Sequence, residues 1–179
     1  MATPFMVLSA LGADRPGLVA DLTRFLVERG ANVEESRMVT LGAEFGVMVL
    51  VSGEPAALER VQGELKALEQ ATGLAALCRP TVDPRTRSAP GTLRQEIVVE
   101  AIDREGIVHA VATEVHRLGL NLVDVETSSY AAPFSGGELF RLEATVDVAP
   151  GKPARALREA LEAMADREHL DIEFVKSRG

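Results

Sequence analysis

The chain has 179 residues, and its 19 Lys plus Arg against 27 Asp plus Glu give a formal net charge of −8 at pH 7. Hydrophobic residues make up 46% of the sequence and charged residues 26%, a balance that excludes a disordered or collagen-like chain. The acidic charge also argues against direct binding of nucleic acid, because a duplex-binding surface needs a concentrated basic patch.

The sequence favours a cytoplasmic protein that is not attached to a membrane. Its apolar run near the start, residues 5–11, is far shorter than the roughly 18–20 residues of a membrane span, and no basic region precedes it. The single cysteine, Cys78, cannot form an internal disulfide, which favours a reducing compartment. Because Cys78 lies in an apolar segment, we expect it to be a small core residue rather than a reactive thiol.

The first half of the chain predicts alternating strands and helices. Apolar runs of strand length are bounded by turn residues, and between them apolar residues such as Leu18, Leu22 and Phe25 recur at helical spacing. The predicted elements are strands over 5–11, 33–40, 45–52 and 74–79, a helix that ends at Gly30, and a helix that opens at Pro55.

The second half repeats this pattern. The segment DRPGLV at Asp14–Val19 matches DREGIV at Asp103–Val108, and GANV at Gly30–Val33 matches GLNL at Gly119–Leu122, each 89 positions further on. Because the shift is the same, no insertion separates the two motifs. The second copy predicts strands over 97–102, 122–130, 138–148 and 171–175, a helix that ends at Gly119, a loop over 131–137, and a helix that opens at Pro153.

The order strand, helix, strand, strand, helix, strand, found twice, predicts two α+β units in tandem. With right-handed crossovers each unit is a four-stranded antiparallel sheet with both helices on one face, a ferredoxin-like βαββαβ sandwich. We predict a first domain over 1–79, a linker with three prolines over 80–93, and a second domain over 94–179. Because the strands are apolar on both sides, we expect the two copies to pack together, the chain to form a homo-oligomer such as a homodimer, or both.

The repeated turn before each first helix is the candidate ligand site. Its glycine, Gly17 or Gly106, lies beside helix N–H groups that attract a carboxylate, and the amides of Asn32 and Asn121 suit a group that carries carboxylate and ammonium. The candidate residues for binding a free amino acid are Asp14, Arg15, Pro16, Gly17, Leu18, Asn32, Gly106 and Asn121. The alternative is structural: Asp14 or Asp103 caps the helix, and the glycines and asparagines serve packing and turns.

The same residues carry a family resemblance. The run ALGADRPG at Ala10–Gly17, with NVEESR at Asn32–Arg37 and LGAEF at Leu41–Phe45, resembles the tandem ACT-domain proteins. This resemblance implies a ferredoxin-like fold and a regulatory role. It also implies a small amino-acid ligand, with glycine the first candidate, and a contribution from the first strand-to-helix loop. Glu105 stands in the second copy where the first has Pro16, so the second site departs from the pattern.

No catalytic, metal or cofactor motif accompanies these residues. The sequence lacks a Cys pair, His-Glu-x-x-His, a Walker loop and Gly-x-Ser-x-Gly. On a helix, His109 and His116 stand about 10.5 Å apart along the axis, too far to ligate one metal directly. We therefore predict a protein that is not an enzyme and has no cofactor.

Two hypotheses of function follow from the sequence. The leading one is a regulatory protein that binds an amino acid. If its output is transcription, we expect it to act through a protein partner such as a DNA-binding regulator, without direct contact to nucleic acid. The alternative is a structural oligomerisation module of the same fold without a ligand.

Overall fold

A computed structural model of the chain describes residues 4–86, 91–132, 136–151 and 154–175. The chain divides into two compact units, Met1–Arg87 and Ser88–Gly179. No helix within the described ranges is long and apolar enough to cross a bilayer.

The first unit has four strands and three α-helices in the residues described. Its elements are β1 (Phe5–Ala13), α1 (Leu18–Glu28), β2 (Asn32–Leu41), β3 (Glu44–Ser52), α2 (Pro55–Gly63), α3 (Leu65–Thr72), β4 (Ala75–Thr81) and a 3-10 turn (Pro84–Thr86). The strands form one antiparallel sheet in the order β2-β3-β1-β4. This topology is the predicted ferredoxin-like arrangement.

The second unit repeats the same topology. Its elements are β5 (Leu93–Ile102), α4 (Ile107–Arg117), β6 (Asn121–Ala131), β7 (Glu138–Val148), α5 (Ala154–Glu168) and β8 (Asp171–Val175). The sheet order is β6-β7-β5-β8, again antiparallel, so the prediction of two ferredoxin-like units in tandem is confirmed. Pro153 and residues 133–135 of the predicted loop lie outside the described residues.

The second helix of the first unit differs from the prediction of one continuous helix. It is broken between α2 and α3 at Glu64, whose φ is −106° and ψ 17°. Gly63 precedes the break, and glycine costs a helix interior about 0.8–1.0 kcal/mol relative to alanine. Both halves still bury apolar side chains, including Val61 and Leu68.

The core of each unit lies between the helices and one face of the sheet. Residues at helical spacing on α1, Leu18, Leu22, Phe25 and Leu26, are buried together with alternate residues of β1 and β3. Full burial of such a side chain stabilises a fold by about 1.5–3 kcal/mol. Cys78 belongs to this cluster and is 8% exposed, which confirms its predicted core position.

The strands that flank the predicted linker extend into it. Pro80 and Thr81 continue β4 and lie opposite Met6 and Phe5, and Leu93 begins β5. Pro80 lacks an N–H group, but β4 is an edge strand and tolerates a proline. The segment between the sheets is therefore 82–92, and residues 87–90 of it lie outside the described part.

Candidate functional site

The turn between β1 and α1 depends on a glycine in the left-handed conformation. Gly17 has φ 92°, and Gly106 has φ 91° at the equivalent turn before α4. A residue with a Cβ is strained in this region, so the repeated glycine is required by the backbone. Neither helix receives a side-chain hydrogen bond at its N-cap in the described residues, which contradicts the hypothesis that Asp14 or Asp103 caps it.

The aspartate of the motif instead ties the turn to the neighbouring strands. The Thr40 hydroxyl donates to Asp14 Oδ2 at 3.4 Å, and the Asp14 N–H donates to the Ala43 carbonyl at 2.9 Å. In the second unit the Ser129 hydroxyl donates to Asp103 Oδ2 at 3.0 Å. The aspartate therefore holds the turn against the end of β2 or β6.

The arginine of the motif ties the same turn to the last helix of its unit. Arg15 Nη2 donates to Asp21 Oδ2 at 2.9 Å and to the Ala71 carbonyl of α3 at 3.1 Å. Arg104 Nη2 donates to both the carbonyl and the carboxylate of Glu168 at 2.9 Å. Carbonyls near the end of a helix attract a cation, so this contact stabilises the helix end as well as the turn.

The start of α1 leaves room for a small anion. A Cβ placed on Gly17 would meet only Arg15 Nη1, at 3.8 Å, and one on Gly106 would meet nothing within 4 Å. The uncapped N–H groups of the first turn are the donors at this position, and the nearby Arg15 guanidinium is paired with Asp21. A carboxylate can therefore approach the backbone at Gly17.

Two further predicted residues of this turn have different positions. Pro16 is exposed beside Gly17. Leu18 is 2% exposed and packs in the core, so its side chain does not reach a ligand at the turn. Only its backbone N–H is available there.

Asn32 does not join the turn within its unit. Asn32 lies opposite Ser52 at one end of β3, whereas Ala13, next to the turn, lies opposite Glu44 at the other end. Eight residues of strand separate these ends by roughly 26 Å, several times the length of an amino acid. The prediction that the turn and the asparagine of one copy hold a ligand together is therefore wrong.

The second unit shows the same separation. Asn121 lies opposite Asp147, while Ile102, which leads into the Gly106 turn, lies opposite Leu139. The physical reason is that α4, like α1, runs back along the sheet, so the residue after the helix starts the next strand at the far end.

Asn32 instead forms a hydrogen bond with Glu34, one of the residues that line a cavity of about 350 Å³ that the sequence did not predict. Its Nδ2 donates to Glu34 Oε1 at 2.9 Å, and the Ser52 hydroxyl donates to the same oxygen. These two bonds, the serine's first, hold the pKa of Glu34 below its usual value. Glu34 and Ser52 line the cavity together with Asp83 and Arg85.

The 3-10 turn supplies the other wall of this cavity. Arg85 donates to Asp83 through Nε at 3.0 Å and through Nη2 at 2.6 Å, and these bonds lower the pKa of the Asp83 carboxyl. The sequence signal for this contact was weak, because Asp83 and Arg85 fall in a stretch without apolar periodicity. Their pairing depends on the turn Pro84–Thr86.

Comparison with known proteins identifies the family. Residues 4–78, nearly all of the first unit, match the ACT domain family. The second unit has the same strand order and connections. The first unit is therefore an ACT domain, and the chain consists of two ACT-like units in tandem.

The chain has curated relatives over part of its length. It is 49% identical over 49 residues to the glycine cleavage system transcriptional repressor of Escherichia coli (strain K12), a segment that covers 27% of this chain and 26% of the repressor. The same values hold for the repressor of Shigella flexneri. The match therefore spans about a quarter of these relatives.

Two solved structures resemble the tandem ACT chain along nearly its whole length. An unknown protein from Galdieria sulphuraria is 33% identical with a TM-score of 0.79, and the match covers 98% of this chain and 99% of that one. A candidate glycine cleavage system transcriptional repressor is 23% identical with a TM-score of 0.71, covering 99% and 100%. At 23% identity, the similarity to the second structure supports the fold of this chain and not its function.

The two ACT units differ at the candidate turn. The first has Pro16 before its glycine, and the second has Glu105, which is exposed. A carboxylate at this position opposes the approach of an anionic ligand to the start of α4. The first ACT unit is therefore the better candidate for binding the carboxylate of an amino acid.

Proposed function

We propose that this tandem ACT-domain protein is a non-enzymatic regulator in the cytoplasm that binds a small amino acid, with glycine the first candidate. Its output would be control of a protein partner in the transcriptional regulation of a glycine cleavage system. The 49%-identical segment supports this proposal, because it belongs to relatives named as repressors of that system.

The observation that carries the ligand proposal is the uncapped start of α1 behind Gly17. In the proposed complex, the carboxylate of the amino acid accepts bonds from the first-turn N–H groups beside Arg15, and Asp14 attracts the ammonium group. The space around Gly17 is open, so a ligand with little or no side chain can reach the backbone there. Asn32 has no part in it within the same unit.

The proposed partner is a DNA-binding regulator rather than DNA. The net charge of −8 supports this choice, because the chain would be repelled by phosphates. A regulator that contacts DNA itself would present basic surface and could be held by an acidic protein. The alternative function is an oligomerisation module without a ligand, and the calorimetry described next tests it as well.

Proline substitution tests the ligand site without disturbing the glycine. Val19 is the second residue of α1 and is 43% exposed, so Val19→Pro removes one first-turn N–H, and a proline is tolerated in the first turn of a helix. We expect wild-type protein to give saturable heat with glycine or a related small amino acid in calorimetry. A hydrogen bond to a charged group is worth about 1.5–3 kcal/mol, so Val19→Pro should raise Kd about ten- to a hundredfold.

Two variants control this measurement. Val19→Ala keeps the N–H and should bind normally, and Val108→Pro makes the same change at an equally exposed position of α4. Circular dichroism must show that each variant is folded. No saturable heat with any amino acid would support the oligomerisation module, and a larger loss in Val108→Pro would place the site in the second unit.

A further inference from the structure

The first sheet has an apolar face on the side opposite its helices, called here the open face. Alternation along the strands places Val7 and Leu50 on this side, while their neighbours Leu8 and Val49 are buried in the core. Large apolar side chains remain exposed on it: Leu11 60%, Met48 57% and Leu77 58%. A continuous apolar surface of this kind marks an interaction site.

The equivalent face of the second unit has the opposite character. At the same register positions, glutamates replace the apolar residues. The replacements are Val7 by Glu96, Leu11 by Glu100, Met48 by Glu143 and Leu77 by Glu173. Two basic side chains lie on the described part of this face: Arg141 pairs with Glu100 and Glu143, and Arg94 pairs with Asp147. Such a face repels a copy of itself, so face-to-face self-association favours the sheet of the first unit.

The open face is large enough for a stable contact. Four strands about 4.8 Å apart and about nine residues long present a surface of roughly 19 Å by 30 Å. The 3-10 turn borders one end of this surface, where Phe5, Glu35 and Leu50 line the cavity that it shares with the sheet. Two such faces in contact remove on the order of 1,000 Å² from water, the lower limit for a specific protein–protein interface.

The register of the sheet arranges the charges of this face at its two edges. One row across the four strands reads Glu35 on β2, Leu50 on β3, Val7 on β1 and Arg79 on β4. The row thus has an acid at one edge, a base at the other and apolar side chains between. In the next row Met48 and Ser9 occupy the centre.

We propose that the open face packs against the open face of a second copy about a two-fold axis parallel to the strands. This rotation reverses each row, so Glu35 of one copy lies over Arg79 of the other, and Leu50 lies over Val7. Aligned sheets with apolar centres pack in this manner, and charged pairs at the rim set the register. Two copies make an isologous, closed dimer.

Sedimentation of the full-length chain without ligand tests the surface, independently of amino-acid binding. We expect wild-type protein to be a dimer and Met48→Glu to raise the dimer dissociation constant at least about a hundredfold, because like charges would be buried near the axis. Leu77→Glu makes the same change on another strand in case one variant is unstable. Val27→Glu, at a helix position that is 72% exposed, should stay a dimer.

Charge exchange tests the orientation. Glu35→Arg and Arg79→Glu should each weaken the dimer about tenfold or more, since each places like charges over one another twice. The double variant Glu35→Arg/Arg79→Glu should restore wild-type affinity. A wild-type monomer at all concentrations, dimeric Met48→Glu and Leu77→Glu, or a double variant no better than the singles would each overturn the proposal.

Discussion

Burial determines the reactivity of the Cys78 thiol. It is packed in the core of the first ACT unit, and desolvation raises its pKa to about 11. At pH 8 the thiolate is then about one part in a thousand, against roughly a quarter for a free cysteine whose pKa is about 8.5. We expect a thiol reagent to react with the native chain at least about a hundredfold more slowly than with the chain in urea. Rapid stoichiometric reaction of the native protein would contradict the core assignment.

The residues of the repeated turn show what could be predicted from sequence. The need for glycine at Gly17 was foreseeable from the turn between a strand and a helix. The partners of Asp14 and Arg15 were not, because Thr40 and the Ala71 carbonyl are distant in the chain and meet the turn only in the folded unit. The structure therefore adds a tethering role to two residues proposed for a ligand.

At the scale of elements, hydrophobic periodicity predicted the strands and the helices α1 and α4 well. Two irregularities were not predictable from it. The register of β2 shifts between Val33 and Glu35, and that of β6 shifts between Leu122 and Asp124. Both shifts follow the asparagine of the repeat, and a bulge depends on strand pairing rather than on local pattern. The break after Gly63 likewise depends on how two short helices pack.

Gly63 permits a test of that break. It ends α2, its φ is not in the left-handed region, and an added Cβ would meet nothing within 4 Å. Gly63→Ala should therefore raise the free energy of unfolding by about 0.5–1 kcal/mol, because alanine favours the helix and restricts the unfolded chain. Urea titration followed by circular dichroism measures the change.

Gly73 is the matched control for this prediction. It has φ 77° at the end of α3, also with nothing near its Cβ position. Gly73→Ala should lower the free energy of unfolding by about 1–2 kcal/mol, because only glycine adopts this backbone without strain. If Gly63→Ala destabilised the protein as much as Gly73→Ala, the break would be a required feature of the fold.

At the scale of the whole molecule, the tandem repeat was the strongest signal in the sequence and the shared fold follows from it. The difference between the sheet faces of the two units was less visible. It depends on which side of a strand each residue faces, as with Met48 and Glu143, and this side is known only once the register is known. The same fold therefore presents an apolar face in one unit and an acidic face in the other.

This charge distribution leads to a prediction about DNA. The acidic face of the second unit and the net charge of −8 oppose phosphate binding, so the isolated protein should show no sequence-selective binding at physiological salt. Fluorescence anisotropy measures the binding of the isolated protein to labelled DNA duplexes. One duplex contains the regulatory region of glycine cleavage genes, and a scrambled duplex is the control. The salt concentration is about 0.15 M, where the Debye length is about 8 Å. Adding the DNA-binding partner should produce a shift that the tandem ACT protein alone does not. Selective binding by the isolated protein at nanomolar concentration would show that it contacts DNA directly and would overturn the proposed route through a partner.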